Sequence, residues 1–397
     1  MPSTPPSTAL HARWKECPPL VPLEVEGPLS LYWSHPAWDV CVAGFGVAAE
    51  GPTQVHWEGA APSSLPAWEW GGWAFVEKRA WPGWPSQLRY VPQTLVWKVR
   101  GECGVATFGD SGRVGPFFGR VEPVTQGSAR RASPPPGLPD WNALVKSALD
   151  GIARGAFTKV VVARPIEVEC DQTFDVRRVL GALEREYPTC RTFLVRSSSG
   201  EAFLGSSPEL LADVHLESLE TEALAGSLPV SRASELLGDE RLCREHGVVV
   251  EGIGESLAPL SVEFDTTRGA RVKVLPNIAH LCTPIYARLR DGVAAQEAAR
   301  ALHPTAATAG VPRKTAMDWL STHEGFDRGW YAGAVGCWTP TGGTWAVGLR
   351  CALVSGRRAR IFVGAGIVAG SSPDAEYEET QAKAEPLLKA LGVTFNE

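Results

Sequence analysis

The chain has 397 residues, 44% of them hydrophobic and 21% charged, and a net charge of −6; that is enough for one large or two ordinary domains with a sizeable core. The negative balance excludes a general electrostatic attraction for nucleic acid or an anionic membrane, and no uninterrupted apolar stretch is long enough to span a bilayer. Nine scattered cysteines without a C-x-x-C pair point to reduced thiols in a cytoplasmic setting rather than a disulfide framework or a zinc site.

Residues 1–27 are proline-rich, carry no apolar h-region, and are expected to be irregular rather than a secretory signal. Over residues 28–126, short candidate strands (31–33, 40–45, 73–75 and 90–99) are broken by Gly and Pro, a spacing that suggests an antiparallel sheet. Trp33, Trp38, Trp57, Trp68, Trp70, Trp73, Trp81, Trp84 and Trp97 fall here. Core and sheet-face packing is their expected use, with an aromatic ligand box as the alternative. Residues 127–139, GSARRASPPPGLP, lack periodicity and read as a linker or a long surface loop.

Residues 140–397 open with a helix in which Trp141, Leu144, Val145, Ala148 and Ile152 recur at helical spacing. Residues 159–163 and 166–168 read as one or two buried strands, 174–187 as a helix, and 192–196, 201–205 and 210–214 as short strands. The pattern is helical over 234–257, extended over 271–274 and 278–281, and helical again over 291–302 and 313–321. Strands at 331–338, 344–354 and 358–368 precede a last helix begun by Ser372-Pro373. Strands and helices come in runs, so the fold class is α+β rather than a doubly wound sheet.

The densest chemistry lies in residues 361–383, IFVGAGIVAGSSPDAEYEETQAK. Gly364 and Gly366 let a ligand or another backbone approach closely, and Glu376, Glu379 and Lys383 share one helical face. That face is either a hard-cation site suited to Mg²⁺ or a solvated face with a Glu-to-Lys pair. The Gly364-x-Gly366-x-x-Ala369 spacing imitates a dinucleotide turn, but the further strand and acidic residue such a unit needs do not follow.

Upstream, Lys159 starts an apolar strand, where desolvation can turn a lysine into a general base. The bland alternative is a snorkelling strand-end lysine. Glu209 follows a Ser-Ser-Pro turn, as a buried acid or an edge carboxylate. Glu245 lies on the 234–257 helix, His280 in an apolar segment, and Arg350 in an otherwise apolar strand, where a buried guanidinium needs an anion.

Together and in order, FTKVVVAR, FLGSSPELL, ALAGS, REHGVVV, AHLCTPI, LHPTAATAG, FDRGWYAGAVG, LRCA and VGAGIVAGSSPDAEYEET closely resemble the chorismate-utilising enzymes. The N-terminal LYWSHP, AGFGVAAE and GGWAF resemble the menaquinone-type isochorismate synthases more than the siderophore type. The resemblance implies one α+β domain of two stacked antiparallel sheets flanked by helices, with residues 127–139 a loop inside it. It also implies Mg²⁺ and chorismate, with no membrane, no nucleic acid, no obligatory glutaminase partner, and a monomer or weak homodimer.

By position, Glu245 and Glu379 then resemble metal ligands, with Glu376 beside them. Lys159 resembles the base that activates water for attack at C2 of the ring, and Glu209 the acid that protonates the departing 4-hydroxyl. Arg350 resembles a clamp on the pyruvyl carboxylate near Tyr331 and Gly366, while Gly226, Ser227, His280 and Lys383 resemble further substrate-side positions. Lysine at 159 and alanine at 225 favour water over ammonia as nucleophile, and Ala307 matches the isochorismate synthases. The position three before Glu245, usually acidic in the family, is Leu242.

The reading is therefore a cytoplasmic, Mg²⁺-dependent isochorismate synthase. Alternatives are a salicylate synthase, an aminating anthranilate or aminodeoxychorismate synthase, and a non-catalytic chorismate-binding relative.

Overall fold

The computed structural model describes residues 8–16, 22, 29–51, 53–63, 67, 69–76, 81–82, 84–109, 129–131, 139–339 and 341–393. Its strands form two sheets. The first runs, edge to edge, through Ala129–Arg131, Lys159–Cys170, Arg358–Val368, Cys351–Ser355, Ala202–Ser207, Arg191–Arg196, Leu29–His35, Val40–Phe45, Thr94–Val99, Glu102–Phe108, Thr8–Glu16 and Thr53–Trp57. The second runs through Ser261–Asp265, Ile278–Leu289, Ser218–Pro229, Leu210–His215, Gly342–Val347, Ala334–Thr339, Glu69–Trp73, Gln87–Val91 and Ala49–Glu50, with Arg271–Val274 paired to Ile278–Leu289. Among the described residues every pairing is antiparallel except that of Thr8–Glu16 with Thr53–Trp57. Strands from both sides of residues 127–139 enter each sheet.

Residues of both sheets share one core. Trp81 stacks on Phe362 with ring centroids 5.2 Å apart, and Trp84 packs edge-on against Trp330 at 5.6 Å. Trp33, Trp70, Trp73 and Trp97 are also buried, so the expected packing use of the tryptophans holds; Trp38 is exposed and Trp68 lies outside the described residues. The outer face of the first sheet buries Val179, Leu183 and Leu387 from the helices Val176–Glu186 and Pro373–Ala390. The outer face of the second buries Val249, Ile253 and Ala298 from Glu240–Leu257 and Ala295–Leu302. Aromatic cores of this kind dominate the burial term of such folds.

Several expectations change. Thr8–Glu16 is a strand, within a stretch whose proline content suggested irregular backbone. Within 127–139, Ala129–Arg131 pairs with Val168–Cys170; 127, 128 and 132–138 lie outside the described residues. Lys159–Cys170 is one continuous strand through Pro165. Proline is tolerated there because Val161 and Ala163, on the same edge, send their N–H groups to Ala309 O and Glu324 Oε1 rather than to a neighbouring strand, so no ladder bond is missed.

The helical pattern over 234–257 is broken at Asp239. A 3-10 turn, Val230–Gly238, ends there, and the Asp239 carboxylate caps the next helix by accepting from Leu242 N at 2.9 Å. That cap sets the register that faces Glu245 inward. Asp239→Ala is expected to cost about 1 kcal/mol, read as a lower denaturant midpoint at unchanged slope; a loss of under about 0.3 kcal/mol would show the cap to be redundant.

The eight described cysteines are free thiols, and among the described residues no helix is long and apolar enough to cross a membrane.

Candidate active site

Two crossovers between the sheets build the site. The chain leaves the first sheet at Ser207 and enters the second at Leu210, which leaves Pro208 and Glu209 at the crossing. It returns from Val347 to Cys351 through Gly348, Leu349 and Arg350. The crossings are hydrogen-bonded to each other: Val347 N donates to Glu209 O at 3.2 Å and Ser206 N to Arg350 O at 3.1 Å. Arg350 therefore does not lie within a strand, as the apolar run 344–354 suggested. Its φ is +46°, a left-handed conformation that costs a non-glycine residue about 1–3 kcal/mol and persists only where the surroundings impose it.

A cavity of about 690 Å³, including its open mouth, lies beside these crossings. Lys159, Glu209, Gly226, Ser227, Glu245, His280, Ala307, Tyr331, Arg350, Gly366, Glu379 and Lys383 all line it. Sequence reasoning thus named twelve residues from distant segments that the fold brings to one wall. Glu376 is the exception: it is buried outside the lining, 3.8 Å from Arg241.

Each wall has a local reason. Gly366 pairs with Val161 on the neighbouring strand, and a Cβ there would lie 2.6 Å from Glu245 Oε1 and 3.0 Å from Lys159 Cε. The space the glycine leaves is taken by the lysine–glutamate pair itself. Lys159 Nζ donates to Glu245 Oε1 at 2.9 Å, with both side chains buried. Gly226, with φ +75°, sits at a bulge where the register against Ile278–Leu289 shifts, and it faces the Leu242 carbonyl. The bulge turns Ser227 into the cavity, where its hydroxyl meets His280 Nδ1 at 2.9 Å. Leu242 is an apolar plug beside Leu236, Ala279 and Leu281.

The electrostatics sort these groups. Burial pushes the Glu209 carboxyl up to about 8, and the Glu222 charge adds to the push; the Thr305 hydroxyl, at 3.3 Å from Oε1, and the lysines Lys159 and Lys273 oppose it. Glu209 therefore carries its proton at neutral pH. His280 is held well below its usual range by burial first and the Arg350 charge second. Arg350 Nη2 lies 3.4 Å from His280 Nε2. Because arginine only donates, Nε2 accepts, and the Nδ1 proton goes to Ser227.

Among the described residues Arg350 has no carboxylate partner, although it is buried; a desolvated guanidinium in that state is a receptor for an anion. Lys383 reaches Gly364 O at 3.0 Å and Glu379 Oε1 at 2.5 Å, so the Glu-to-Lys pair expected at this spacing is present and faces the cavity. Among the described residues no three His, Cys, Asp or Glu side chains converge as a ready cation cage. Glu245 and Glu379 each carry a lysine partner, while burial, then Glu379 and Glu245, push the Glu376 carboxyl up to about 7.

Sequence reasoning missed Thr305, Leu224, Val161 and Leu349 in or beside this site. The LHPTAATAG segment contained Thr305, but nothing in its spacing aimed that hydroxyl at Glu209. His246 turns away into the core, with Nε2 2.7 Å from Thr283 Oγ1.

A buried acid, a buried lysine and an arginine without a carboxylate partner among the described residues line one cavity, a combination suited to an anionic small molecule. Residues 123–392 match the family model described as chorismate binding enzyme, and the chain belongs to that family. It is 37% identical over 257 residues to isochorismate synthase MenF of Haemophilus influenzae, covering 63% of this chain and 59% of that protein. It is 36% identical over 264 residues to the salicylate biosynthesis isochorismate synthase of Pseudomonas aeruginosa, covering 63% and 54%. These matches thus take in less than two thirds of either relative. Among solved structures, the menaquinone-specific isochorismate synthase MenF from Escherichia coli superposes with a TM-score of 0.81 at 25% identity, over 97% of this chain and 95% of that one.

Proposed function

We propose that the chain is an isochorismate synthase, converting chorismate to isochorismate with water as nucleophile. The observation that carries this reading is Glu209, a buried carboxyl that holds its proton up to about pH 8 in the same cavity as Lys159. The reaction needs such a pair because neutral water is a poor nucleophile and hydroxide a poor leaving group.

Lys159 Nζ is the group placed to take a proton from water as the new C–O bond forms at C2. The ring π electrons shift, the C4–O bond breaks, and Glu209 Oε gives its proton to the departing hydroxide. One water enters and one leaves, so product and substrate are isomers. Arg350 pairs with the pyruvyl carboxylate, with Tyr331 beside it, and neutral His280 and Ser227 complete the polar wall. Val161, Leu224 and Ala307 keep the ring side apolar.

The residues also fit Mg²⁺. Glu245 and Glu379 offer only carboxylate oxygens, which suit a hard dication, and Glu376 lies close enough for its proton affinity to feel both. When bound there, the ion would neutralise the ring carboxylate and template the substrate. We read the enzyme as acting without a glutaminase subunit, since lysine occupies position 159 and alanine position 225, and as cytoplasmic from its free thiols.

The test is product analysis: purified protein, chorismate and Mg²⁺, without ammonium, followed by chromatography with mass detection. Isochorismate at the mass of chorismate is expected, and Glu209→Gln is expected to lower kcat by about 10²–10³. In the wild type, kcat is expected to fall as pH rises through about 8, because ionised Glu209 has no proton to give. Salicylate and pyruvate as the main enzymatic products would move the protein to the lyase reaction. An alkaline limb retained in residual Glu209→Gln activity would remove Glu209 as the acid.

A further inference from the structure

Glu222 and Lys273 bracket Glu209 without touching the cavity. Glu222 lies on Ser218–Pro229 and Lys273 on Arg271–Val274, two strands that share Ile278–Leu289 as a neighbour but do not pair with each other. Lys273 Nζ donates to Glu222 Oε1 at 2.8 Å and Oε2 at 3.0 Å, and also to Pro208 O at 2.6 Å. Glu222 Oε1 accepts from Leu210 N at 3.0 Å, and Cys282 Sγ donates to Oε2 at 3.3 Å. The ion pair thus grips the peptide groups on either side of Glu209. The Leu210 N–H is open to this grip because the strand register against Gly342–Val347 shifts at a bulge between Leu210 and Ala212.

We propose that the Glu222–Lys273 pair is a positioning and tuning device for Glu209, clamping the sheet crossover through Pro208 and Leu210 and setting the local charge that the acid feels. The inference rests on reading Glu209 as the acid of the proposed reaction. A partly buried ion pair gives no guarantee of stability, because its desolvation penalty offsets much of its attraction; two half-buried charges that each spend a contact on one crossover have a use in fixing that crossover. The groups facing Glu209 are Glu222, Lys273, Lys159 and the Thr305 hydroxyl, and those facing Glu222 are Lys273, Arg191, Cys282 and the Leu210 N–H. Glu222 stays ionised, its carboxyl lowered against its own burial chiefly by Lys273, with Arg191 and the Leu210 N–H helping. Its negative charge is second only to burial in raising Glu209.

The signs follow. Glu222→Gln keeps an oxygen for the Leu210 N–H but removes the negative charge and leaves Lys273 uncompensated. Both changes favour ionised Glu209, so the alkaline limb of kcat is expected to move down by about one pH unit. Lys273→Met removes a positive charge and leaves Glu222 ionised by Arg191 and the Leu210 N–H, so the limb is expected to move up. Lys273→Arg keeps the charge and is expected to stay within about 0.3 of the wild-type limb. In the first two variants kcat at neutral pH is expected to fall about tenfold while KM changes less than about twofold, since neither group meets substrate.

The experiment is a kcat–pH profile of the full chain and these variants, with the protonated-carboxyl infrared band that disappears in Glu209→Gln followed against pH. Opposite displacements of limb and band in Glu222→Gln and Lys273→Met, with arginine restoring the profile, support the proposal. Displacements that are absent, or alike in the two variants, overturn it; if Glu222→Gln does not fold, the Lys273 pair decides alone. The infrared band needs no turnover. Opposite band shifts without isochorismate would sink the proposed reaction and leave the clamp, whereas isochorismate with unmoved bands would do the reverse.

Discussion

Lys159→Ala is expected to lower kcat with chorismate by about 10³-fold, within the range for a lost general base, with KM changed less than threefold. Lys159 is the first residue of its strand and is 1% exposed, and among the described residues Glu245 is the side chain that holds its Nζ. The wall around it supplies no second amine except Lys383, which is occupied by Glu379 and the Gly364 carbonyl. Truncation leaves Glu245 without a cation, but that carboxylate faces the cavity and gains water there, so the variant is expected to fold. Comparison of Lys159→Ala with Lys159→Arg separates charge from basicity. Arginine retains the ion pair yet cannot be deprotonated, so it is expected to be as inactive as alanine while melting closer to wild type. Isochorismate production within tenfold of wild type in either variant would remove Lys159 as the base.

Arg328→Met is expected to cost about 3–5 kcal/mol of stability, because it leaves a buried carboxylate without its cation. Arg328 and Glu324 are both about 4% exposed or less and pair directly, with Nε 2.7 Å from Oε2. The same guanidinium donates to Thr308 O at 2.8 Å and Val161 O at 2.5 Å, while Glu324 Oε1 accepts from Ala163 N at 2.8 Å. One ion pair therefore ties the lysine-bearing strand to the segment that carries Thr305 and Ala307. Urea unfolding would show a lower midpoint at unchanged slope. A loss under about 1 kcal/mol would mean that water or a neighbouring group replaces the guanidinium. Glu324→Gln, which keeps an acceptor for Ala163 and Arg328, is expected to cost less.

Much of the site was legible because its chemistry is unusual for its surroundings. A lysine at the head of a VVVA strand, a glutamate after Ser-Ser-Pro, and two glycines in an IFVGAGIV strand each break a local pattern, and all four line the cavity. The order of the motifs decided for Glu245 and Glu379, since on its own helix each also reads as a solvated acid. The strands 40–45 and 358–368 match to the residue, because their β-branched runs end at turn residues. The break at Arg350 was not legible: LRCA has no Gly, Pro or Asn to announce a positive φ, and the strain is imposed from outside by the two crossovers. Thr8–Glu16 was hidden by its proline-rich neighbourhood, and Ser218–Pro229 by a glycine that marks a bulge within a strand rather than its end. The Glu222–Lys273 pair depends on strands brought together around a third, which no local pattern reports.

The lysine's strand also constrains how the protein is made. Lys159 pairs with Val368, Val161 with Gly366 and Ala163 with Gly364, so a segment synthesised early waits for one synthesised much later. Until then its apolar edge is open, and the Arg358–Val368 strand must insert between Lys159–Cys170 and Cys351–Ser355 to close the sheet. Long-range pairings of this kind slow folding and leave exposed strand edges prone to association with other chains. Lys159 and Gly366, which leaves room for the Lys159–Glu245 pair, therefore come together in the same late step.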